Sequence, residues 1–498
     1  MEKLEIVRNM FQRIRIRWIA YFLIICTVVF VSAYSSQTHD RLLALTILVS
    51  VLSVAVPLII KLKKERPIDF FDPLTMFLAF YTCNYILKPI DSYYFPDLLY
   101  VPSSLLINIL TVCLALAGLY AFYLGYFGPL GAAFSRMIPI FYTELSVTKA
   151  TLFCPIMFLM GAVALTYLVL TGGGFAAYLN NLSQRVFFFK GMGVIYLLTF
   201  MMPAQGLLLY AAMVGKKYGL FVKCFLWGLM GLGAAGAAMT GSRFNVGWVV
   251  LGYVIIRNYA YKRYKLKFLV TLGCAMLIFL VIAGFLRRPG EVLEEKVEEG
   301  ASRLEVTDNP FINSFHMIAK QFYPYWEEML LVENMPKQLD FQYGMTYLGP
   351  PFLFMPKFIL EDKALYAVQM GKIYSTSFFP DSWTQGITYS PGLIGEGYIN
   401  FGVVGVIVSF FVMGVFYKGL YIFMLDNPQS KGRLLLYAVL NPQIGRVLKG
   451  GFSPAQVDFI CMGMFVFFVG MILKKKRRGG LGVAQSPRRQ KFDTLLQS

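Results

Sequence analysis

The chain has 498 residues, of which 57% are hydrophobic and 16% aromatic, while only 15% are charged. A soluble globular protein carries roughly a quarter charged residues, so this composition excludes an ordinary soluble domain. The formal charge of +19 reads as basic loops of a membrane protein rather than a nucleic-acid surface. The two histidines, His39 and His316, exclude a histidine-rich metal site.

Apolar runs long enough to cross a ~30 Å hydrocarbon core as helix fall at 18–36, 42–60, 73–90, 104–127, 150–171 and 192–214. Further runs lie at 219–239, 243–257, 268–286, 398–424, 434–448 and 456–473. The sequence therefore predicts an all-α polytopic membrane protein with about twelve spans. The third, eighth and eleventh are short or interrupted, which makes the range eleven to thirteen. No segment alternates polar and apolar residues over about ten positions, so a β-barrel is excluded.

Basic clusters mark alternate connections. They lie before the first span (Arg13, Arg15, Arg17), after the second (Lys61, Lys63, Lys64, Arg66) and after the sixth (Lys216, Lys217). They recur after the eighth (Lys262, Arg263, Lys265, Lys267), after the tenth (Lys431, Arg433) and in the tail (Lys474, Lys475, Lys476, Arg477, Arg478). Twelve spans put all of them on one side, as the positive-inside rule requires, and both termini in the cytoplasm. The basic, then apolar N-terminus reads as a retained anchor. All seven cysteines (Cys26, Cys83, Cys113, Cys154, Cys224, Cys274, Cys461) lie in predicted spans, so no disulfide framework is indicated.

The organisation is a membrane domain over 1–286, a large outer loop over 287–392, a second membrane segment over 393–473 and a basic tail over 474–498. The loop holds Glu291, Glu294, Glu295, Glu298, Glu299, Glu305, Asp308, Glu327, Glu328, Glu333, Asp340, Glu361, Asp362 and Asp381, more than half of the chain's 27 acids. A loop of this length is usually functional or has structure of its own. Its first part, "EVLEEKVEEGASRLEV", has helical spacing, and a solvated helix face accounts for its glutamates. "FHMIAKQFYPYWEEMLLVEN" suits an amphipathic helix on the membrane surface or over a cavity. "YLGPPFLFMPKF" reads as a poor helix and a rigid cap.

Basic residues on the outer side run against the rule: Arg185, Lys190, Arg243, Arg287, Arg288, Lys357 and Lys363. Snorkelling to lipid phosphates is the bland explanation for any one of them. Arg243 follows a Gly-Ser turn and opens a helix, so backbone N–H groups and a guanidinium can meet one anion. Arg287 and Arg288 add bidentate donors. Glu396, in "TYSPGLIGEGYINFGVVG" (388–405), is a carboxylate at a membrane boundary, either functional or a helix N-terminal charge. His316 is the one near-neutral base in the outer loop, or an ordinary interfacial histidine. The chain lacks GxxxxGK[ST], HExxH and GxSxG. Without ATP on the outer side, chemistry there needs a substrate that is already activated, such as a sugar on a lipid pyrophosphate.

Four stretches carry a resemblance: "MTGSRFN" (239–245), the large loop after it, "FLFMPKFILEDKAL" (352–365) and "GITYSPGLIGEGYINFGVVGVIVSFFVMG" (386–414). The chain resembles the Wzy-type oligosaccharide repeat-unit polymerases of bacterial inner membranes. The resemblance implies a GT-C-like, metal-independent glycosyltransferase without cofactor. Such an enzyme polymerises undecaprenyl-pyrophosphate-linked repeat units into a surface polysaccharide at the periplasmic face. By that resemblance Arg243 with Arg287 or Arg288 binds pyrophosphate; Arg185 and Lys357, as further basic residues of the outer side, are candidates for the same substrate. His316 or Glu396 activates the acceptor hydroxyl, and Tyr398 and Asn400 line the sugar site. A chain-length regulator and a flippase are the implied partners beside the lipid bilayer and the lipid-linked oligosaccharide. An O-antigen ligase-type transferase and a lipid-linked oligosaccharide flippase remain open alternatives.

Overall fold

In hydrocarbon each backbone polar group must be satisfied within the chain, and the apolar runs accordingly fold as helices. The computed structural model describes residues 39–64, 69–94, 104–138, 145–181, 195, 198–214, 219–239, 243–261, 263–265, 267–268, 270–275, 278, 315–316, 319, 324–353, 370–384, 388–428, 430–453, 455–456, 459 and 462. The first half holds α1 (His39–Lys64), α2 (Pro73–Thr82), α3 (Lys88–Tyr94), α4 (Leu105–Phe127), α5 (Leu130–Met137), α6 (Val147–Thr171), α7 (Phe175–Asn181), α8 (Met201–Ala212), α9 (Leu220–Met239) and α10 (Arg243–Ala260). The second half holds α11 (Pro324–Asn334), α12 (Met345–Leu353), α13 (Met370–Phe378), α14 (Pro380–Thr384), α15 (Gly392–Asp426), α16 (Lys431–Leu440) and α17 (Gln443–Gly450).

Among the described residues, five helices are long and apolar enough to cross a membrane: α1, α4, α6, α9 and α15. The predicted span at 18–36, more than half of that at 268–286, most of that at 456–473, the loop's acidic first part and the tail lie outside the described residues. The predicted third span is α2, a π-helical turn (Cys83–Leu87) and α3 in unbroken succession. Asp72 starts it, accepting from Leu74 N at 2.8 Å and Thr75 N at 3.1 Å, with Pro73 at the first helical position.

Side-chain bonds identify which helix ends lie together. Asp69 accepts from Phe71 N at 3.1 Å, Tyr259 Oη at 2.7 Å and Tyr421 Oη at 2.9 Å. Lys61 pairs with Asp72 and donates to the Asp69 carbonyl at 2.9 Å, while Tyr437 Oη reaches the Phe71 carbonyl at 2.6 Å. This closes one end of the bundle with the C-terminal ends of α1, α10 and α15 and with α16. At the same end Arg433 bonds Asp426 at 2.8 Å and Lys431 bonds the Ala212 carbonyl at 2.9 Å. Lys61, Lys431 and Arg433 therefore share an end.

Two departures from the sequence reading concern the chain's return into the membrane. The helix expected from 398 begins at Gly392 and breaks at Phe401 and Gly402, where Gly402 has φ +60° and ψ −143°. That conformation belongs essentially to glycine. The break folds the first half back on the second, bringing Gly397 and Gly405 into backbone contact that no Cβ fits. It also frees the Ile399 and Asn400 carbonyls, which accept from Gln342 N at 2.9 Å and Tyr343 N at 3.2 Å. The proline-rich cap is in part a helix, α12. A turn at 342–344 starts it, with Met345 N bonded to the Gln342 carbonyl at 2.9 Å. Pro350 and Pro351 fall past the first turn of this short helix, where each leaves one ladder position without a donor.

Candidate functional site

The end of the bundle opposite Asp69 gathers ionisable side chains away from solvent. The π turn at 83–87 precedes Lys88 and Asp91, which lie one helical turn apart on one face of α3. Single-turn π segments are frequent at functional sites. Lys88 Nζ pairs with Asp91 Oδ2 at 2.6 Å, and His316 Nδ1 meets Asp91 Oδ1 at 2.7 Å. The exposures of Lys88, Asp91 and His316 are 1%, 0% and 3%. Trp326 of α11 stacks over the ammonium, with Nζ 3.7 Å from a ring centroid. Its Nε1 donates to Ser92 Oγ at 2.8 Å, and Ser92 Oγ donates to the Lys88 carbonyl at 3.0 Å.

Helix α11 brings two further carboxyls. Glu328 is fully buried; its Oε1 accepts from Tyr85 Oη at 3.1 Å and its Oε2 has no hydrogen-bond partner among the described residues. Glu327 Oε2 is likewise unpartnered, while its backbone carbonyl accepts from Tyr374 Oη at 3.0 Å. Burial pushes the Glu327 carboxyl up to about 8 against the opposing pull of Lys88 and Lys449. Burial also raises Glu328 well above the usual carboxylate range, only partly offset by the Tyr85 hydrogen bond. Tyr325 ties α11 to the start of α4 through the Asn108 carbonyl at 3.1 Å.

Glu396 sits next to this group, in the first half of α15. It is fully buried and ringed by donors: Phe452 N, Ser453 N at 3.0 Å to both oxygens, and Thr346 Oγ1 at 3.1 Å. The two backbone N–H groups follow Gly451, whose φ of +85° turns the chain toward the carboxylate. A Cβ on Gly451 would stand 2.6 Å from Glu396 Oε2. Asn400 supports the same arrangement. Its Nδ2 donates to Thr346 Oγ1 at 2.7 Å and to the Glu396 carbonyl at 2.8 Å, and its Oδ1 accepts from Gly344 N at 2.9 Å.

Of the residues singled out from the sequence, His316 and Glu396 both lie at this end, with α11 between them. Their surroundings differ. The Glu396 carboxylate is used on both oxygens to hold α12 and the start of the segment after α17. His316 is gripped at Nδ1 by a buried carboxylate. Asn400 is buried with its amide engaged in the loop; Tyr398 is half-buried, its ring 6.5 Å from that of Phe341. Arg243 opens α10, as expected, but its side chain lies outside the described part. Arg185, Arg287, Arg288 and Lys357 also lie outside the described residues. Sequence reasoning missed Lys88, Asp91, Glu327, Glu328 and Thr346. Lys88 and Asp91 carried a signal: both charges stand at the end of an apolar span, where intramembrane ionisable residues are rare.

A family model described as "O-antigen polysaccharide polymerase Wzy" matches residues 16–441. No curated protein and no solved structure matches the chain. On that match the chain, an integral membrane protein of helices, belongs to the Wzy family of O-antigen polysaccharide polymerases.

Proposed function

We propose that this protein polymerises undecaprenyl-pyrophosphate-linked oligosaccharide repeat units at the periplasmic face of the bacterial inner membrane. The Glu396 end of the bundle faces the periplasm, and the Asp69 end with its basic residues faces the cytoplasm. Twelve spans in a GT-C-like arrangement, with both termini cytoplasmic, complete this reading. The observation that carries it is the His316–Asp91 contact at 2.7 Å, buried at the end of the bundle opposite Lys61, Lys431 and Arg433.

In this reaction the acceptor hydroxyl loses its proton to His316 and its oxygen bonds to the anomeric carbon of the donor glycan. The bond from that carbon to pyrophosphate breaks, and undecaprenyl pyrophosphate leaves with the electron pair. Arg243, Arg287 and Arg288, with Arg185 and Lys357, stabilise the charge growing on the leaving group. No metal is assigned a role. Glu396 and Asn400 position the α12 loop, and Tyr398 lines the glycan path.

Deletion followed by lipopolysaccharide electrophoresis tests the function. Single-repeat glycans with the ladder lost are expected. Long polymer accumulating on the lipid carrier would mean a ligase instead, and repeat units retained on the cytoplasmic face would mean a flippase. Arg243→Ala should abolish polymer while the protein stays in the membrane; normal chain length in that variant overturns the anion-binding role.

A further inference from the structure

We infer that Asp91, held by Lys88, is the positioning residue that fixes the tautomer and aim of His316 during glycan transfer. The inference rests on the polymerase reading and on His316 as its base. A carboxylate in an ion pair has no proton to give, so the contact to Asp91 Oδ1 places hydrogen on Nδ1 and makes Nε2 the basic nitrogen. The two oxygens of Asp91 are divided between its neighbours, with Oδ2 meeting Lys88 and Oδ1 meeting the imidazole. As the imidazole takes the acceptor's proton, the carboxylate stabilises the imidazolium that forms.

The surroundings fix this geometry from two elements. The ring of Trp326 lies over Lys88 Nζ at 3.7 Å, and the bonds from Trp326 to Ser92 and from Ser92 to the Lys88 carbonyl tie α11 to α3. Apolar residues of similar volume commonly stabilise a core as well as a buried ion pair does. Stability alone therefore does not call for three ionisable groups here. A directed imidazole does.

The test uses full-length protein in nanodiscs with an undecaprenyl-pyrophosphate-linked repeat unit as the probe. Asp91→Asn should lower kcat by roughly 100- to 10,000-fold, the range for losing general-base catalysis, with KM for the acceptor little changed. Single replacement strands the Lys88 ammonium, so the deciding variant is Lys88→Met with Asp91→Asn, which removes both charges. That double variant should keep the wild-type melting temperature and still lack activity. If it is active, Asp91 only neutralises Lys88 and the inference falls. In a His316→Ala background Asp91→Asn should cost nothing further; multiplicative losses would also overturn it. Polymerisation by His316→Ala at the wild-type rate would instead remove His316 as the base, whatever Asp91 does.

Discussion

Replacing Glu396 with glutamine separates an anchoring carboxylate from a reacting one. Glutamine keeps the length of the side chain but exchanges one acceptor oxygen for an NH2 group. In one orientation that group faces Phe452 N–H and Ser453 N–H, donor against donor. In the other it displaces the oxygen that accepts from Thr346 and shares Ser453 N–H. Even the better orientation loses one charge-assisted bond, weakens another and removes the charge from those that remain. A hydrogen bond to a charged group contributes about 1.5–3 kcal/mol, so the expected loss is roughly 2–4 kcal/mol, several degrees in melting temperature. The assay is thermal unfolding of the purified full-length protein beside the polysaccharide ladder in complemented cells. Anchoring predicts that both fall together and that abundance in the membrane drops. A ladder lost at the wild-type melting temperature would refute the reasoning and make Glu396 a participant in the chemistry. Full stability with a full ladder would refute it from the other side.

Gly402→Ala should destabilise by about 1–3 kcal/mol, because φ +60° with ψ −143° admits glycine almost alone; the melting temperature measures this. For Glu327 the sign is fixed by its raised value of about 8. The folded state holds this proton more tightly than the unfolded chain, whose carboxyl titrates near 4.3. Stability is fully retained below that lower value and falls as pH rises toward 8, by a few kcal/mol in all. Melting temperatures from pH 5 to 8 should decline in the native protein, and Glu327→Gln should flatten the decline. Asp69→Asn weakens the acceptor for Tyr259 and Tyr421 and should cost about 1–3 kcal/mol, leaving kcat of the folded fraction unchanged.

The long apolar helices were legible because their boundary signals are local. The predicted run at 104–127 is α4, capped by Ser104, and that at 219–239 is α9 within one residue. The start of α10 at Arg243 was legible too. The fold of α15 at 401–402 was not. It depends on N–H groups of the 342–344 loop donating to the carbonyls that the break releases, and that loop lies about sixty residues earlier. His316 and Glu396 stood out as ionisable residues in unusual places. Their different surroundings depend on partners far away in sequence: Asp91 is 225 residues from His316, and Ser453 is 57 from Glu396. Hydropathy carries no information about such pairs.

The two ends of the bundle treat buried carboxyls differently, and this contrast supports the proposed placement of the site more than any single residue does. At one end the oxygens of Asp69 and Asp72 are answered by Lys61, by backbone N–H groups and by hydroxyls from α10 and α15. Those bonds close within the chain, as expected where a polar cluster holds helices together. At the other end Glu327 and Glu328 each keep a buried oxygen with no hydrogen-bond partner among the described residues, close to the Lys88–Asp91–His316 group. Leaving such acceptors unanswered costs about 1–3 kcal/mol each, and burial answers by keeping these carboxyls protonated. A protonated carboxyl is a donor as well as an acceptor, which suits the hydroxyls of a glycan. Local rules are expected to fail where a protein binds or reacts; among the described carboxyls they fail on the side where His316 stands, while at the Asp69 end the unpartnered atoms are Arg433 Nε and Asn441 Oδ1 rather than carboxyl oxygens.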